Sequence, residues 1–405
     1  MAFISVQECI ATLLASKSIS QSTQTSHLLD SLGLIVSENI ISEVDVPPAD
    51  NSAMDGYVFR YSDTTKTNTF KVSQRIQAGD VAQPLTANTV ARIFTGAEIP
   101  DNADSVEMQE NCQLNEDGSI TFTQAVKPDN NIRKQGQDIQ KGSVIVKQGQ
   151  RLRAQELGLL ASIGISTIQT YKPLHIAILN TGNELIEPGE KLQKGQIYNS
   201  NRFLLDGLLK QWGFTTEHHH IVEDTLEQTK QALLKVSQHS DIVITTGGVS
   251  VGEEDHIKPA VESLGNIDLW KVAIKPGKPF AFGTIHSPSK EKSDTPFIGL
   301  PGNPSSVFAT LLILARPYLL KQQGLKEHLH PITNTAIASF DRKTVSREEY
   351  LRANYHDGKV DIYMNQSSGV LTSASWGNCF VKQNIGEPIE QNQSVSIIMY
   401  SDFFC

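Results

Sequence analysis

The stretch DIVITTGGVSVGEED, residues 241–255, decides the fold of this chain. Its first half, DIVITT, has the length and the β-branched composition of a buried strand. The Gly247-Gly248 pair then marks a turn, and the residues from Asp255 to Leu264 follow a helical pattern. A buried strand that passes through a glycine turn into a helix is the repeating unit of an α/β sheet.

The same alternation continues on both sides of this stretch. We predict strands at IAILN (176–180), TTEHHHIV (215–222), IDLWKVAI (267–274), PFAFGTI (279–285) and TPFIGL (295–300). The segments 201–211, 226–237, 255–264 and 304–320 are predicted helices. Strands that alternate with helices of this length predict a doubly wound parallel-sheet domain over residues 174–325.

The rest of the chain has a different texture. SVQE, residues 5–8, is a capping-box pattern that predicts a helix to about Leu14, and residues 154–163 are again helical. Between them, residues 45–139 contain short β-type runs separated by Gly, Asn and Asp, which predict a β-rich insertion domain. We therefore expect a mixed linking domain made of residues 1–44 and 140–173, and a C-terminal β-barrel-like domain over 326–405. The fold class is multidomain α/β plus β.

Composition excludes several classes of function. The chain has 405 residues, a formal net charge of −9 and no Lys/Arg-rich stripe, so nucleic acid is not an expected partner. Its four cysteines lie far apart and form no Cys/His metal pattern, as expected of reduced thiols in a cytosolic protein. The N-terminus lacks the basic and apolar regions of a signal peptide, and the apolar stretch 311–320 is interrupted by Arg316 and Pro317. We expect a cytoplasmic protein with no membrane partner.

Cations concentrate on one rigid turn of this acidic chain. In WKVAIKPGKPFAFG (270–283), Lys271, Lys275 and Lys278 lie on both sides of a Pro-Gly turn. Three solvated surface lysines are the ordinary explanation. The apolar flanks VAI and FAF instead predict that the turn lies at the end of buried strands, where α/β sheets bind their ligands. The pattern predicts an anion site.

Four predicted turns follow strands and precede helices: TGNEL (181–185), VED (222–224), TGGVSVGEED (246–255) and PGNPSS (301–306). The carboxyl ends of parallel strands share one sheet edge, so these turns should lie together. Gly247, Gly248 and Ser250 would offer backbone N–H groups to a phosphate, although turn chemistry alone also explains a Gly-Gly pair.

Glu184, Asp224 and Asp255 should reach the same edge. Carboxylates beside a phosphate site are the ligands that Mg²⁺ uses, with waters and substrate phosphates completing its shell. The alternative for each residue is helix capping and stabilisation of the helix dipole. Two more carboxylates, Asp50 and Asp55, lie on a predicted turn in DNSAMDGY (50–57). The Asp55-Gly56 pair can be explained by turn formation alone.

Taken in order, these motifs closely resemble the molybdopterin molybdenumtransferases, the family that includes bacterial MoeA and the E domain of gephyrin. The landmarks run from residue 45 to residue 306, with SWGNCF (375–380) beyond them: DVPPADNSAMDGY, RIFTGAEIP, IRKQGQDI, TGNEL, IYNSNRF, TTGGVSVGEEDHIK, KVAIKPGKPFAFG and GLPGNPSS. The resemblance implies insertion of molybdate into adenylylated molybdopterin, with release of AMP and dependence on Mg²⁺. It also implies an elongated homodimer of four-domain subunits, with an active site shared between subunits.

Site residues follow from the resemblance by motif. Asp55, Thr95 and Asp138 match positions that the partner subunit contributes. Glu184, Asp224 and Asp255 match the acidic positions at the nucleotide and Mg²⁺ end, and Lys271 and Lys275 match functional lysines. The pocket proposed for molybdate in the family corresponds to Lys275, Lys278, Ser306, Arg352 and Ser373. Around these groups, the matching motifs contribute Gly247, Gly248, Ser250, Pro301, Asn303 and Pro304 to substrate binding. The molybdopterin adenylyltransferase and acceptor molybdoenzymes are further partners that the resemblance suggests.

Two alternatives stay open at this point. A molybdopterin adenylyltransferase shares the α/β domain type and would explain residues 174–323, but not the β insertion or the last domain. A gephyrin-like binding scaffold without turnover would explain the fold but not the retained acidic and basic positions. The chain departs from many relatives at Asn183, His256 and Gln137, and none of these departures removes an expected role.

Overall fold

The computed structural model describes residues 3–219, 221–249, 255–287 and 293–404. The N-terminal segment contains α1 (Val6–Ala15), β1 (Thr23–His27), a 3-10 turn (Leu28–Ser31) and β2 (Ile40–Ile41). Helix α1 begins at the predicted capping box, because the hydroxyl of Ser5 accepts the N–H of Glu8 and the Glu8 carboxylate accepts the N–H of Ser5.

Residues 51–133 form the predicted β-rich insertion. It contains β3 (Asn51–Ser52), β4 (Gly56–Phe59), a 3-10 turn (Tyr61–Thr65), β5 (Thr69–Ile76), β6 (Thr89–Ile93), β7 (Ser105–Met108), a 3-10 turn (Gln109–Asn111), β8 (Cys112–Leu114), β9 (Ser119–Phe122) and β10 (Ile132–Arg133). Six of these strands form one sheet in the order β7-β4-β6-β5-β9-β8. Apolar residues are buried on both of its faces.

After the insertion the chain returns to its N-terminal segment through β11 (Val144–Val146), α2 (Ala154–Ser162) and β12 (Thr167–Tyr171). Strand β12 pairs antiparallel with β1, and β11 pairs antiparallel with β2. A shared apolar cluster joins the two stretches. This pairing is the arrangement expected of a linking domain interrupted by an insertion.

The α/β region contains β13 (His175–Asn180), β14 (Leu185–Ile186), β15 (Ile197–Tyr198), α3 (Ser200–Gln211), β16 (Thr215–His218), α4 (Leu226–Ser237), β17 (Ile242–Thr246), α5 (Ile257–Leu264), β18 (Gly265–Trp270), β19 (Ile274–Lys275), β20 (Ala281–Ile285), β21 (Thr295–Leu300), α6 (Pro304–Thr310), a π-helical turn (Leu311–Ala315) and α7 (Arg316–Gln322). The main sheet has the order β16-β13-β17-β21-β20-β18. Strands β16, β13, β17 and β21 are mutually parallel, so the four predicted turns do follow parallel strands. The doubly wound fold is confirmed.

One part of the sheet prediction was too simple, because the sheet is mixed and not wholly parallel. Strand β20 runs antiparallel to both β21 and β18. The connection from β20 to β21, residues 286–294, is too short for the crossover that a parallel pair needs. In addition, β19 does not continue β18 but pairs in parallel with β23 of the last region, defined next.

The last region forms a small closed barrel. It contains β22 (Asn334–Ala338), β23 (Glu348–His356), β24 (Lys359–Ile362), α8 (Thr372–Trp376), β25 (Cys379–Gln383), β26 (Ser394–Met399) and a 3-10 turn (Tyr400–Phe403). Strands follow the order β23-β24-β22-β26-β25, and a further pairing of β25 with β23 closes the ring. The barrel-like prediction is confirmed, although β25 and α8 were not predicted from the sequence.

Buried side chains connect these regions. One large apolar cluster includes Leu13 of α1, Ile244 of β17, Leu314 of the π-helical turn and Phe380 of the barrel. A second covers the opposite face of the main sheet. Within the described residues, the helices are all too short or too polar to cross a membrane.

Candidate active site

A cavity of about 940 Å³ opens at the carboxyl ends of β13, β17 and β21. In the sheet, the chain proceeds from β13 to the neighbour on one side, β16, and then to the neighbour on the other, β17. The cavity therefore lies outside a point where the strand order reverses, which is where open α/β sheets bind ligands. Eight of the predicted site residues line it: Glu184, Gly247, Lys275, Lys278, Pro301, Asn303, Pro304 and Ser306.

The Lys-Pro-Gly-Lys turn forms one wall of the cavity. Its first lysine is part of β19, and the Lys275–Pro276 peptide bond is cis. Gly277 has φ +113°, and a Cβ at this position would lie 2.4 Å from Cγ2 of Thr310, so the turn needs glycine. The Nζ of Lys278 lies 5.2 Å from the ring centroid of Phe3, a cation–π contact that the sequence did not predict. Both cations thus reach the cavity from one constrained turn.

Arg352 and Ser373 lie together behind another part of the wall. Arg352 is fully buried and donates its Nε–H to Oγ of Ser373 at 2.9 Å. Its Nη2 donates to the carbonyl of Ser367, which lines the cavity. Nη1 has no hydrogen-bond partner among the described residues. Burial lowers the pKa of Arg352 below its ordinary value, but an arginine side chain stays protonated in a protein.

The three predicted carboxylates lie on turns that follow three neighbouring strands, β16, β13 and β17. Glu184 lines the cavity, and Gly182 beside it has φ +141° with no room for a Cβ next to the Glu184 carboxylate. Asp224 follows β16 on one side of β13, whereas Asp255 follows β17 on the other. No three His, Cys, Asp or Glu side chains within the described part of the chain form a group that could hold a metal ion. Of the three carboxylates, only Glu184 lines the cavity, and their convergence stays a prediction.

The predicted phosphate cradle also differs in detail. The N–H of Gly247 donates to the carbonyl of Leu300 at 3.2 Å, because the pairing of β17 with β21 continues one residue past the strand. This N–H is consequently engaged by backbone. Gly248 packs against the side chain of Ile257 and is not on the cavity wall. Ser250 lies outside the described residues.

The PGNPSS turn connects the main sheet to the barrel. Asn303 donates its side-chain N–H to Oγ of Ser368 at 3.0 Å, and the hydroxyl of Ser305 donates to the carbonyl of Val370 at 2.7 Å. Ser306 is buried at the start of α6 with its side chain at the cavity. The barrel loop 366–369 thus supplies a wall of the site.

Four predicted residues lie away from this cavity. Asp55 and Thr95 are in contact, since Oδ1 of Asp55 accepts the N–H of Thr95 at 2.8 Å and its hydroxyl at 2.9 Å. Both hydrogen bonds lower the pKa of Asp55 below its ordinary value, and the one from the Thr95 backbone N–H has the larger effect. Asp138 donates its N–H to the carbonyl of Val46, and Lys271 donates its N–H to the carbonyl of Phe280. None of the four lines the cavity.

Sequence reasoning missed several residues of the wall. Tyr198, Ser200 and Asn201 precede or begin α3, and the motif IYNSNRF was a signal that could have indicated them. Arg347 also lines the cavity and donates to the carbonyl of Ile274 at 2.9 Å. No local pattern distinguishes Arg347 from an ordinary surface arginine.

Three family models match the chain. The MoeA N-terminal region (domain I and II) matches residues 4–164, a probable molybdopterin binding domain matches 177–321, and the MoeA C-terminal region (domain IV) matches 335–400. Their order along the chain agrees with the order of the regions described above.

Individual proteins match over nearly the same length. A molybdopterin molybdenumtransferase of Haemophilus influenzae is 40% identical over 368 residues, which cover 89% of each chain. One from Nostoc is 32% identical, over 91% of this chain and 86% of its own. A crystal structure of the molybdopterin biosynthesis protein MoeA from Pyrococcus horikoshii superposes with a TM-score of 0.85 at 27% identity, over 98% of this chain and 100% of that chain.

Proposed function

The chain belongs to the MoeA family of molybdopterin molybdenumtransferases, and on that premise we propose that it inserts molybdate into adenylylated molybdopterin with release of AMP. The resemblance inferred from the motifs is thereby confirmed. So is the broader assignment to a transferase of molybdenum cofactor biosynthesis. The identity of the substrates and the order of events at the cavity are the proposal.

The observation that carries the proposal is the cationic wall of the cavity. Lys275, Lys278 and Ser306 line it, and Arg352 lies behind it with an unpaired N–H among the described residues. A buried donor without a partner is costly and is satisfied by a ligand that accepts hydrogen bonds. Molybdate is a dianion with four acceptor oxygens, so it suits two ammonium groups, a guanidinium and a hydroxyl.

Other residues of the cavity lining suit the nucleotide end of the substrate. Glu184 provides a carboxylate, and Thr246 and Asn201 provide polar groups. One carboxylate is compatible with Mg²⁺, which commonly binds through one or two carboxylates together with substrate phosphates and waters. When bound, Mg²⁺ would neutralise charge on the adenylyl pyrophosphate. We propose that Glu184 holds it, assisted by Asp224 and Asp255 from the turns that follow β16 and β17, the two neighbours of β13.

The chemistry is one of positioning more than of covalent catalysis. The cationic wall would hold molybdate against the bound dithiolate, and this converts the encounter of two anions into an intramolecular step. The lysines and Arg352 would screen the repulsion between them. Glu184 would keep the pyrophosphate linkage at the far end of the same cavity.

We also propose that the working form is a homodimer with composite sites. Asp55 and Thr95 form an exposed acid–hydroxyl pair in the insertion, away from the cavity of their own chain. A twofold dimer can bring this pair to the partner's cavity and so make two equivalent sites. The free thiols of Cys9, Cys112 and Cys379 suit a reducing compartment, in line with a cytoplasmic location. The molybdopterin adenylyltransferase and acceptor molybdoenzymes are the proposed partners before and after this step.

One assay separates the proposal from its alternatives. Purified protein is given adenylylated molybdopterin and Mg²⁺, and AMP is measured with and without molybdate. The proposal predicts AMP release that depends on molybdate. A molybdopterin adenylyltransferase, whose reaction forms this compound from ATP, would release no AMP in response to molybdate, and neither would a scaffold. AMP release that is absent or does not depend on molybdate would contradict the proposal.

A further inference from the structure

Glu349 is a buried carboxylate that directly contacts the cavity lysine. It lies on β23 opposite Lys275 in the β19–β23 register, and its side chain is 0% exposed. Its Oε1 is 3.0 Å from Nζ of Lys275 and 3.0 Å from Nη2 of Arg342. Its Oε2 has no hydrogen-bond partner among the described residues. No sequence motif pointed to Glu349, because the pairing that creates this contact joins segments 74 residues apart.

Stability alone does not account for this arrangement. A buried ion pair gains little net stability, because the desolvation of its charges offsets their attraction. The cations that Glu349 contacts are not buried with it: the side chains of Lys275 and Arg342 are 38% and 27% exposed. The carboxylate is thus desolvated by the fold, whereas the Lys275 side chain stays partly exposed and lines the cavity.

Glu349 acts on more than one cation near the cavity. Burial lowers the pKa of Arg352, whereas Tyr400 and then Glu349 raise it, so Glu349 also acts electrostatically on Arg352. Glu349 is in ionic contact with Lys275 and Arg342 and also acts on Arg352, so it offsets part of the positive charge beside the cavity. Glu349 therefore limits the positive charge of the wall and fixes the position of its lysine.

We propose that Glu349 is a positioning residue for molybdate insertion, which holds the Lys275 ammonium at the point where it meets the oxyanion. The proposal rests on the proposed function. A lysine has a flexible four-carbon stem and fixes no geometry by itself. An error in placement of about 1 Å can cost on the order of 100-fold in rate. A carboxylate held by β23 removes that freedom before the anion arrives.

The test compares two substitutions at Glu349 with one at its neighbour. Glu349→Gln removes the charge, and Glu349→Asp keeps the charge but withdraws it by one methylene. Glu348→Gln is the matched control, because Glu348 is also buried but points to the other face of β23. There it contacts Lys382 at 3.3 Å and accepts the hydroxyl of Tyr350. We expect kcat to fall about 10- to 100-fold in both Glu349 variants, with the KM for molybdate changed less than about threefold. The control should keep native kcat.

Crystal structures of the three variants give a readout that does not depend on activity. In Glu349→Asp, the Lys275 Nζ should move away from its native position, whereas Glu348→Gln should retain it. Native kcat in both Glu349 variants, or an unmoved Nζ in Glu349→Asp, would overturn the positioning role. So would a loss confined to KM, which would mean a role in anion affinity. If the native protein itself fails to insert molybdenum, the proposed function fails instead, and the two failures are distinguishable.

Discussion

Arg352 donates its Nε–H to the hydroxyl oxygen of Ser373 across 2.9 Å, and both residues are fully buried. Arg352 belongs to the barrel strand β23 and Ser373 to the short helix α8, so the contact fixes the guanidinium relative to α8. Nη2 of the same guanidinium donates to the carbonyl of Ser367 in the loop 366–369. That loop lines the cavity in the α/β region. The barrel therefore contributes to the site through a buried arginine that its helix α8 orients.

Replacement of Ser373 by Ala should destabilise the protein and weaken the response to molybdate together. A hydrogen bond to a charged group contributes about 1.5–3 kcal/mol, so we expect a loss of that order in the free energy of unfolding. The KM for molybdate should rise, because the guanidinium loses its orientation. Ser375→Ala, at an exposed position of the same helix, is the control and should change neither quantity. Equal behaviour of the two variants in urea unfolding and kinetics would contradict this role.

The Lys-Pro-Gly-Lys turn should be intolerant of a side chain at Gly277. Its φ of +113° disfavours alanine, and the added Cβ would lie 2.4 Å from Thr310. We expect a loss of about 1–3 kcal/mol in the free energy of unfolding and a large loss of activity, because both cavity lysines would move. Gly386→Ala is a matched control, since Gly386 also has positive φ (+77°) but open space around it. It should cost only about 1 kcal/mol and no activity. A smaller loss for Gly277→Ala than for Gly386→Ala would show that the turn can adjust.

Glu184→Gln should raise the Mg²⁺ concentration needed for half-maximal AMP release. The substitution keeps the size of the side chain on the cavity wall but removes its negative charge. Mg²⁺ prefers charged carboxylate oxygens as ligands, so it should bind more weakly. Asp224→Ala and Asp255→Ala, measured in parallel, should reduce AMP release at limiting Mg²⁺ while the dimer persists. Glu190→Gln, at an exposed position outside the cavity, serves as the control. An unchanged Mg²⁺ requirement in Glu184→Gln would remove this carboxylate from the metal site.

Mixed dimers test whether the site is shared. The inactive variants Asp55→Ala and Asp224→Ala are mixed under conditions that exchange subunits. In a mixed dimer, one composite site carries neither substitution, so activity should return to about a quarter of the native level at statistical exchange. If mixed dimers form and stay inactive, both residues act within one subunit.

Local patterns predicted the parts of this protein whose structure depends on neighbouring residues. The capping box at Ser5 begins α1, and the apolar run ending at Thr246 is β17. The direction of β20 could have been predicted too, because its connection to β21 is too short for a parallel crossover. That signal was in the sequence and was overlooked.

Contacts made by tertiary pairing were beyond the sequence. The pairing of Lys275 with Glu349 depends on β19 leaving the main sheet for the barrel, and no periodicity encodes that choice. Arg347 reaches the cavity for the same reason. The turns that carry Asp224 and Asp255 were correctly placed after parallel strands. Periodicity does not reveal strand order, in which these two turns follow β16 and β17, the strands on either side of β13. The sequence therefore indicated which turns carry the site but not which side chains meet.

The central claim is that molybdate enters the cofactor at the cavity wall formed by Lys275 and Lys278. The most direct measurement compares two quantities from one single-turnover reaction: the molybdenum bound in the product, found by elemental analysis, and the AMP released. It is made at limiting molybdate with the native protein and with Lys275→Ala. We expect one molybdenum per AMP in the native protein and a strong loss of both in the variant. Normal molybdenum insertion by Lys275→Ala at limiting molybdate, or AMP release by the native protein without molybdenum in the product, would contradict it.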